Sequence, residues 1–270
     1  MTLFSRTFHV AALVTGLGLV PTLVAAKPAS PTAKAQRATI AAAYGQLPLA
    51  FEANHGQHPQ PVDFLARGPN YTLWLTPTEA VFSLRNATTD TPTTVRMQLV
   101  DSNPSAVARG ERKLPGIVNH AIGSDATKWR TASTFAEVRY DDVYPGIDVV
   151  YYGKQRQLEY DFVVAPGSSP DRIALAFTGV DRMRIEADGS LVLTQPGGDL
   201  RWAPPVLYQR IGGTRRPVTG AYRIVEGKVG FAVGKYDRSR PLVIDPVLYS
   251  TFIGGSLNDR ADAIVIDSEN

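Results

Sequence analysis

Residues 138–167, VRYDDVYPGIDVVYYGKQRQLEYDFVVAPG, constrain the fold more than any other stretch of the chain. Two apolar, aromatic runs, 147–152 and 157–164, are separated by a short polar link that contains Gly153. In the second run every other residue is apolar, which is the period of a half-buried strand. The apolar positions of that run are Leu158, Tyr160, Phe162 and Val164. With Pro-Gly turn signals on both sides, the stretch predicts an antiparallel β-hairpin at the centre of the fold.

The rest of the chain repeats this pattern of short apolar runs and tight turns. Further strands are predicted at 47–52, 62–67, 71–75, 80–84, 95–100, 172–177, 183–186, 191–194, 206–211, 218–225 and 228–233. Asp188-Gly189 and Glu226-Gly227 lie between alternating runs, where hairpin turns need a positive φ. Breakers predict an irregular stretch at 101–116, and Ser124 predicts the start of a helical turn at 124–129. Residues 47–246 are thus expected to form an all-β domain, an antiparallel sandwich or a stack of sheets.

Residues 1–26 have the pattern of a secretory signal peptide. Arg6 lies in a short n-region, residues 10–20 form an apolar run of about 11 residues, and Val24-Ala25-Ala26 is a small-residue cleavage site. We therefore expect export to the medium or the cell surface, maturation before Lys27, and no membrane span afterwards. Residues 27–46 are predicted to form a linker and a short Ala-rich helix that ends at Gly45.

Composition excludes several classes of function. The chain has no cysteine, which removes disulfides, cysteine nucleophiles and thiolate metal sites. Its formal net charge of +3 is too small to predict nucleic-acid binding. The patterns G-x-S-x-G and H-E-x-x-H and the phosphate-loop pattern do not occur. The sequence therefore assigns no catalytic residue and no cofactor.

Several segments resemble the N-terminal domain of unknown function of bacterial proteins that carry SBBP repeats, which are β-propeller repeats. They are YGQLPLAFEANHGQ at 44–57, FLARGPNYTLWLTPTEAVFSL at 64–84, VYPGIDVVYYGKQRQLEYDFVVAPG at 143–167, ADGSLVL at 187–193 and FAVGKYDRSRPLVIDP at 231–246. YSTFIGGS at 249–256 resembles the opening of the first repeat. The resemblance implies a secreted or cell-surface, non-catalytic β module that precedes and presents a propeller, with the repeats in the same chain as its partner.

Residues 247–270 depart from that pattern, because they match only the start of an incomplete repeat. A propeller blade needs about 40 residues and packs against other blades. We therefore expect a truncated product that forms no propeller of its own, with a loose strand at its end.

The densest acidic set comprises Asp141, Asp142, Asp148, Glu159 and Asp161. In the favoured interpretation the first two begin a turn, and the last two lie on the polar face of the hairpin. The alternative assigns Asp141, Asp142 and Asp148 to a Ca²⁺ site, which requires several converging oxygens. A hydrolase, the least favoured hypothesis, would need two of the five carboxylates to face each other in a pocket, one with a raised pKa.

Trp74, Trp129 and Trp202 are candidate ligands for a carbohydrate or surface polymer. That function requires at least two of them on one exposed face, whereas aromatic residues of β domains usually pack in the core. A carbohydrate-binding module is therefore the alternative to the non-catalytic scaffold.

Two further groups of polar residues have a structural and a functional interpretation. Arg210, Arg215, Arg216 and Arg223 predict a solvated strand face or a surface for an anionic polysaccharide or lipid headgroup. Glu52, His55 and His58 follow one another at three-residue spacing, but Gly56 and Pro59 exclude a helix. A polar loop after a strand is therefore favoured there over a metal site.

Overall fold

A computed structural model describes residues 49–68, 70–85, 92–121, 124–125, 127, 129–154, 157–195 and 198–250. These residues are nearly all β and contain no α-helix, as the sequence predicts for this part of the chain. The predicted signal peptide, the linker with its helix and most of the predicted repeat lie outside the described residues.

In the part of the chain that the structure describes, no helix has the length and apolar character that crossing a bilayer requires.

Short antiparallel strands follow one another along the chain. The first nine are β1 Phe51–Ala53, β2 Phe64–Arg67, β3 Tyr71–Leu75, β4 Glu79–Leu84, β5 Thr93–Leu99, β6 Ala108–His120, β7 Arg130–Tyr144, β8 Ile147–Lys154 and β9 Gln157–Val164. After a 3-10 turn at Pro170–Arg172 come β10 Leu175–Thr178, β11 Arg182–Ile185, β12 Leu191–Gln195, β13 Gly198–Trp202, β14 Val206–Ile211, β15 Thr214–Val218, β16 Gly220–Val225, β17 Lys228–Val233, β18 Leu242–Asp245 and β19 Leu248–Ser250.

The strands form two sheets. The larger has 15 strands in the order β15-β14-β18-β9-β8-β7-β1-β2-β3-β4-β5-β10-β17-β16, with β6 paired to β7. The smaller has the order β11-β12-β13-β19.

The predicted central hairpin is confirmed as β8 and β9. Tyr151 pairs with Tyr160 and Val149 with Phe162, and the alternating apolar residues of β9 are all buried. The Pro-Gly turn between β7 and β8 requires glycine at Gly146, where φ is 71°. A Cβ added there would lie 2.1 Å from the Ser168 Oγ. The turn of Glu226 and Gly227, with φ of 50° and 73°, likewise has the positive φ that the sequence predicts.

Strand β7 joins the two halves of the large sheet. It is 15 residues long; Tyr140 pairs with Val149 of β8, and Phe135 pairs with Phe51 of β1. The strands on the β8 side of β7 pack against the strands on its β1 side. The ring of Phe162 on β9 lies 6.0 Å from that of Phe231 on β17. The sheet therefore folds back on itself around one apolar core.

The small sheet covers part of the same core. Leu193 of β12, Leu200 of β13 and Leu248 of β19 all belong to it. The ring of Trp202, at the end of β13, lies 5.6 Å from that of Phe177 on β10. The two sheets are thus stacked and share their buried apolar side chains, one of the arrangements that the turn pattern predicts.

Three predicted boundaries are wrong. Residues 108–116, predicted to be irregular, belong to β6, which is largely exposed and forms through backbone pairing with β7 rather than through burial. The single strand predicted at 218–225 is divided between β15 and β16, which end the large sheet on opposite sides. Gly198, predicted in a turn, begins β13. Exposed strands carry no apolar alternation, so the pattern does not detect them.

Replacing Phe162 by Ala removes a ring that contacts both Tyr160 and Phe231. We expect the free energy of unfolding to fall by about 3–5 kcal/mol, the usual cost of such a cavity, in urea denaturation followed by circular dichroism. Val163→Ala, on the opposite face of the same strand, is the matched control and should cost about 1 kcal/mol. Equal losses in both variants would mean that the ring contacts do not hold the halves together.

Candidate functional site

The three predicted tryptophan ligands do not share a surface. Trp74 is buried on the outer face of β3, the face turned away from the main core, in a small cluster with Val62, Leu65 and Val81. Trp202 is buried as well, with 1% of its surface exposed, whereas Trp129 is 49% exposed. At least two tryptophans on one exposed face are required, and this is not the case, because Trp74 and Trp202 are buried in apolar clusters.

The acidic residues near the turn between β7 and β8 face an arginine. Arg139 lies between Asp141 and Asp148, with nitrogen–oxygen distances of 3.2 and 2.7 Å, and Arg109 also pairs with Asp141. The backbone N–H of Asp142 donates to Asp148 Oδ1 at 2.9 Å. These carboxylates thus face guanidinium and amide groups instead of a common cation position. Among the described residues, no group of three His, Cys, Asp or Glu side chains is arranged to hold a metal ion.

Three other carboxyl groups lie side by side on the outer face of β9 and β18, and we call them the carboxyl row. Glu159 and Asp161 are two residues apart on β9, and the pairing of Phe162 with Ile244 places Asp245 of β18 beside Asp161. Glu159 and Asp245 are buried, with exposed fractions of 4% and 8%. The Tyr152 hydroxyl group donates a hydrogen bond to Asp161 Oδ1 at 3.0 Å. Glu159 and Asp161 therefore lie on the predicted polar face of the hairpin, but Glu159 is buried there.

The carboxyl row changes the proton affinity of Asp161. Its pKa is raised to about 7, mainly by burial and then by the charge of Asp245, while the hydrogen bond from Tyr152 acts in the opposite direction. A carboxyl group with such a pKa exchanges its proton near neutral pH, which is the property that a general acid needs. A cavity of about 160 Å³ lies elsewhere, beside β16 and β17, where Arg223, Lys228 and Asp171 are among its lining residues.

A second polar group forms around Glu52 on β1. The Glu52 carboxylate is buried, pairs with Arg67 of β2, and lies 3.0 Å from His120 Nε2 at the end of β6. The ring of His58 packs edge-on against that of His120, with centroids 5.8 Å apart. Burial, then the positive charges of Arg67 and His120, lowers the pKa of His58 below its ordinary value of 6.5. The buried carboxylate is thus paired with the Arg67 guanidinium and lies within hydrogen-bond distance of the His120 ring.

The loop after β1 places His58 through the side chain of Asn54. The Asn54 amide donates to the carbonyl oxygens of His58 and Val62, at 3.0 and 2.6 Å. Its Oδ1 accepts from the backbone N–H groups of Gly56 and His58. This confirms the interpretation of the Glu52–His58 segment as a strand followed by a polar loop, and it leaves His55 exposed.

A third feature is the joint between β13 and β19. Leu248 pairs with Trp202, Tyr249 with Arg201, and Ser250 with Leu200. The backbone N–H of Ala203 donates to the carbonyl oxygen of Val247 at 2.9 Å. Leu248 is buried, with an exposed fraction of 3%. Trp202, a candidate ligand in the carbohydrate hypothesis, packs instead beside β19.

Sequence spacing cannot identify the partners in these groups. Arg67 and His120 lie 15 and 68 positions from Glu52 along the chain, and only the strand order brings them to it. Asp245 could be found only by knowing that β18 adds to the edge of β9. The one local signal is the alternation of β9, which places Glu159 and Asp161 on one face.

Comparison with known proteins gives one match. Residues 51–247 match the model of a family described as a domain of unknown function, DUF7948. No curated protein and no solved structure matches the chain.

Asp161→Asn tests the carboxyl row. Because the pKa of Asp161 in the folded state lies above its ordinary value of 3.8, its contribution to stability is complete below about pH 4 and is lost as the pH rises through about 7. Asn keeps an acceptor for Tyr152 and carries no charge. We expect the variant to be more stable than the wild type at pH 8, on the order of 1 kcal/mol, and to match it at pH 4, in thermal unfolding by calorimetry.

The matched control is Asp148→Asn, which removes the same charge from an ion pair with Arg139. This variant should gain nothing at pH 8. A gain of equal size in both variants would mean that net charge, and not the carboxyl row, is responsible.

His58→Gln tests the group around Glu52. Since the pKa of His58 is lowered in the folded state, the unfolded chain takes up the proton first, and stability falls as the pH drops below about 6.5. The variant cannot titrate, so its free energy of unfolding should fall less steeply between pH 7 and pH 5, as measured by urea denaturation. His55→Gln, on the exposed part of the same loop, is the control and should keep the wild-type slope. Identical slopes for both variants would contradict the assigned environment of His58.

Proposed function

This chain belongs to the DUF7948 domain family, and we propose that it is an exported, non-catalytic β module that holds the next segment of the chain in a fixed orientation. The observation that carries the proposal is β19. This strand is paired with β13 over three residues, and Leu248 is buried in the common core. A chain that leaves a domain as a strand of its sheet is held by backbone hydrogen bonds and apolar contacts, unlike one that leaves through a polar linker.

Residues 249–256 resemble the opening of an SBBP repeat, and our proposal assigns them to the first repeat. Tyr249 and Ser250, the first two residues of the repeat-like segment, are also the last two of β19. In our proposal the first strand of a propeller repeat is therefore built into the small sheet of the module, which sets the direction in which the repeats continue.

Export is supported by the N-terminal pattern of a short n-region, an apolar run and a small-residue cleavage site. The absence of cysteine means that the folded module does not depend on disulfide formation after export. Its stability then rests on the apolar core, which suits a module at the cell surface or in the medium.

The carbohydrate-binding alternative, which rests on the aromatic residues and the arginine run, loses the support of Trp74 and Trp202, because both are buried, while Trp129 is exposed. The hydrolase hypothesis retains one supporting feature, the raised pKa of Asp161 in the carboxyl row. The cavity of about 160 Å³ lies beside β16 and β17, away from the row. The joint at β19 therefore carries the more specific proposal.

Amide hydrogen exchange of the mature full chain tests the proposal. We expect the amides of β19 to be protected to about the same degree as those of β13, since the two strands exchange hydrogen bonds. Leu248→Asp places a charge in the core and should accelerate exchange at 247–250 at least about tenfold, while β8 and β9 stay protected.

Val107→Asp is the control, because Val107 is 63% exposed and the same charge there remains solvated. It should leave exchange at 247–250 unchanged. If the amides of 247–250 in the unmodified chain exchange as fast as an unstructured peptide while β13 is protected, the module does not orient the residues after β19, and the proposal fails.

A further inference from the structure

The hairpin of β14 and β15 ends the large sheet with a concentration of positive charge. Arg210 on β14 pairs directly with Arg215 on β15, and Gln209 pairs with Arg216. Arg210, Arg215 and Arg216 are exposed. Arg210 and Arg215 lie on the same face of the hairpin as Tyr208, and we call these two the arginine ribbon, whereas Arg216 lies on the opposite face with Gln209. No Asp or Glu occurs between Val206 and Val225 in the sequence. Within the described residues, none of the three forms a salt bridge.

The fourth arginine of the predicted basic run is separate from this ribbon. Arg223 lies on β16, at the opposite end of the large sheet. Its guanidinium group pairs with Asp171 at 3.2 Å. The predicted run is therefore divided, and only Arg210 and Arg215 share one face of a strand pair.

An aromatic ring supports two of the three arginines. The guanidinium carbons of Arg210 and Arg215 lie 5.6 and 4.3 Å from the centroid of the Tyr208 ring. Tyr208 is itself buried, so the ring is a fixed support. Stacking on a ring restricts a guanidinium group and leaves its N–H groups free to bind an anion.

The carboxyl row lies on the same face as the ribbon and offsets part of its charge. Asp161 acts electrostatically on Arg215, and burial, then the charge of Asp245, raises the pKa of Asp161 to about 7. Arg240, in the loop that Gln209 holds in place, forms its own pair with Asp237.

We propose that the arginine ribbon binds a carboxylated polysaccharide. Guanidinium groups bind carboxylates with paired, charge-assisted hydrogen bonds, and a polymer offers many carboxylates along an extended chain that matches an extended two-stranded edge. The tip of the hairpin is Gly212-Gly213-Thr214, without the large apolar side chains that insert into a lipid surface. The net charge of the whole chain, +3, is too small for a nucleic-acid surface.

The test is binding of the mature full chain to polygalacturonate, measured by biolayer interferometry, with neutral dextran as the uncharged probe. We expect binding to polygalacturonate only. It should weaken about tenfold between 50 and 200 mM NaCl, as expected when about two charges are neutralised. Arg210→Gln should weaken it several-fold, and the double variant R210Q/R215Q should abolish it.

The control R172Q/R182Q removes two exposed arginines elsewhere and should bind like the wild type. If the double variant does not fold, as judged by circular dichroism, Arg210→Gln alone decides, because Arg210 lies farther from the Tyr208 ring than Arg215 does and has no described ion pair. Equal binding by the ribbon and control variants overturns the proposal. So does an absence of binding, and so does binding to vesicles of anionic phospholipid or to duplex DNA in place of polygalacturonate.

Discussion

The fold depends on a row of aromatic rings that connects strands from the two halves of the large sheet. The ring centroids of successive members are 5.7 to 6.2 Å apart. The row comprises Tyr140, Tyr151, Tyr160, Phe162, Phe231 and Tyr222. Backbone pairing alone specifies a continuous sheet and not the way in which it closes. The step from Phe162 to Phe231 is the contact that brings one half over the other, and each such pair contributes about 0.5–1.5 kcal/mol beyond the apolar area it buries.

The outer face buries charged groups beside the apolar cluster of Trp74, and these groups depend on their neighbours. Glu52 pairs with Arg67 and lies 3.0 Å from His120 Nε2. Burial, then the charge of Asp245, raises the pKa of Asp161 to about 7. The strand order thus gives Glu52 an arginine and a histidine as neighbours, and gives Asp161 acidic neighbours.

The sequence predicts the elements of this fold better than their assembly. The central hairpin, the all-β class and the turns with positive φ follow from local patterns such as the alternation around Tyr160 and the pair Glu226-Gly227. Local patterns do not detect strands β6 and β15, because exposed strands need no apolar period. The group around Glu52 could not be predicted, since His120 reaches it only through the pairing of β6 with β7 and of β7 with β1. The burial of Trp202 agrees with the core packing that aromatic residues favour, but the sequence does not identify its partner strand, which begins 46 residues later, at Leu248.

Strand β15 ends the large sheet and β19 ends the small sheet, and different interactions stabilise these two edge strands. At β19 the chain continues as a strand, and apolar burial of Leu248 holds it. At β15 the sheet stops, and an unguarded edge strand would pair with other chains. Pro217, which lacks an N–H group, and the exposed charges of Arg215 and Arg216 prevent that pairing. Edge protection needs charge of either sign at scattered positions. It does not require two paired arginines stacked on one buried tyrosine, and a binding function would explain this additional order.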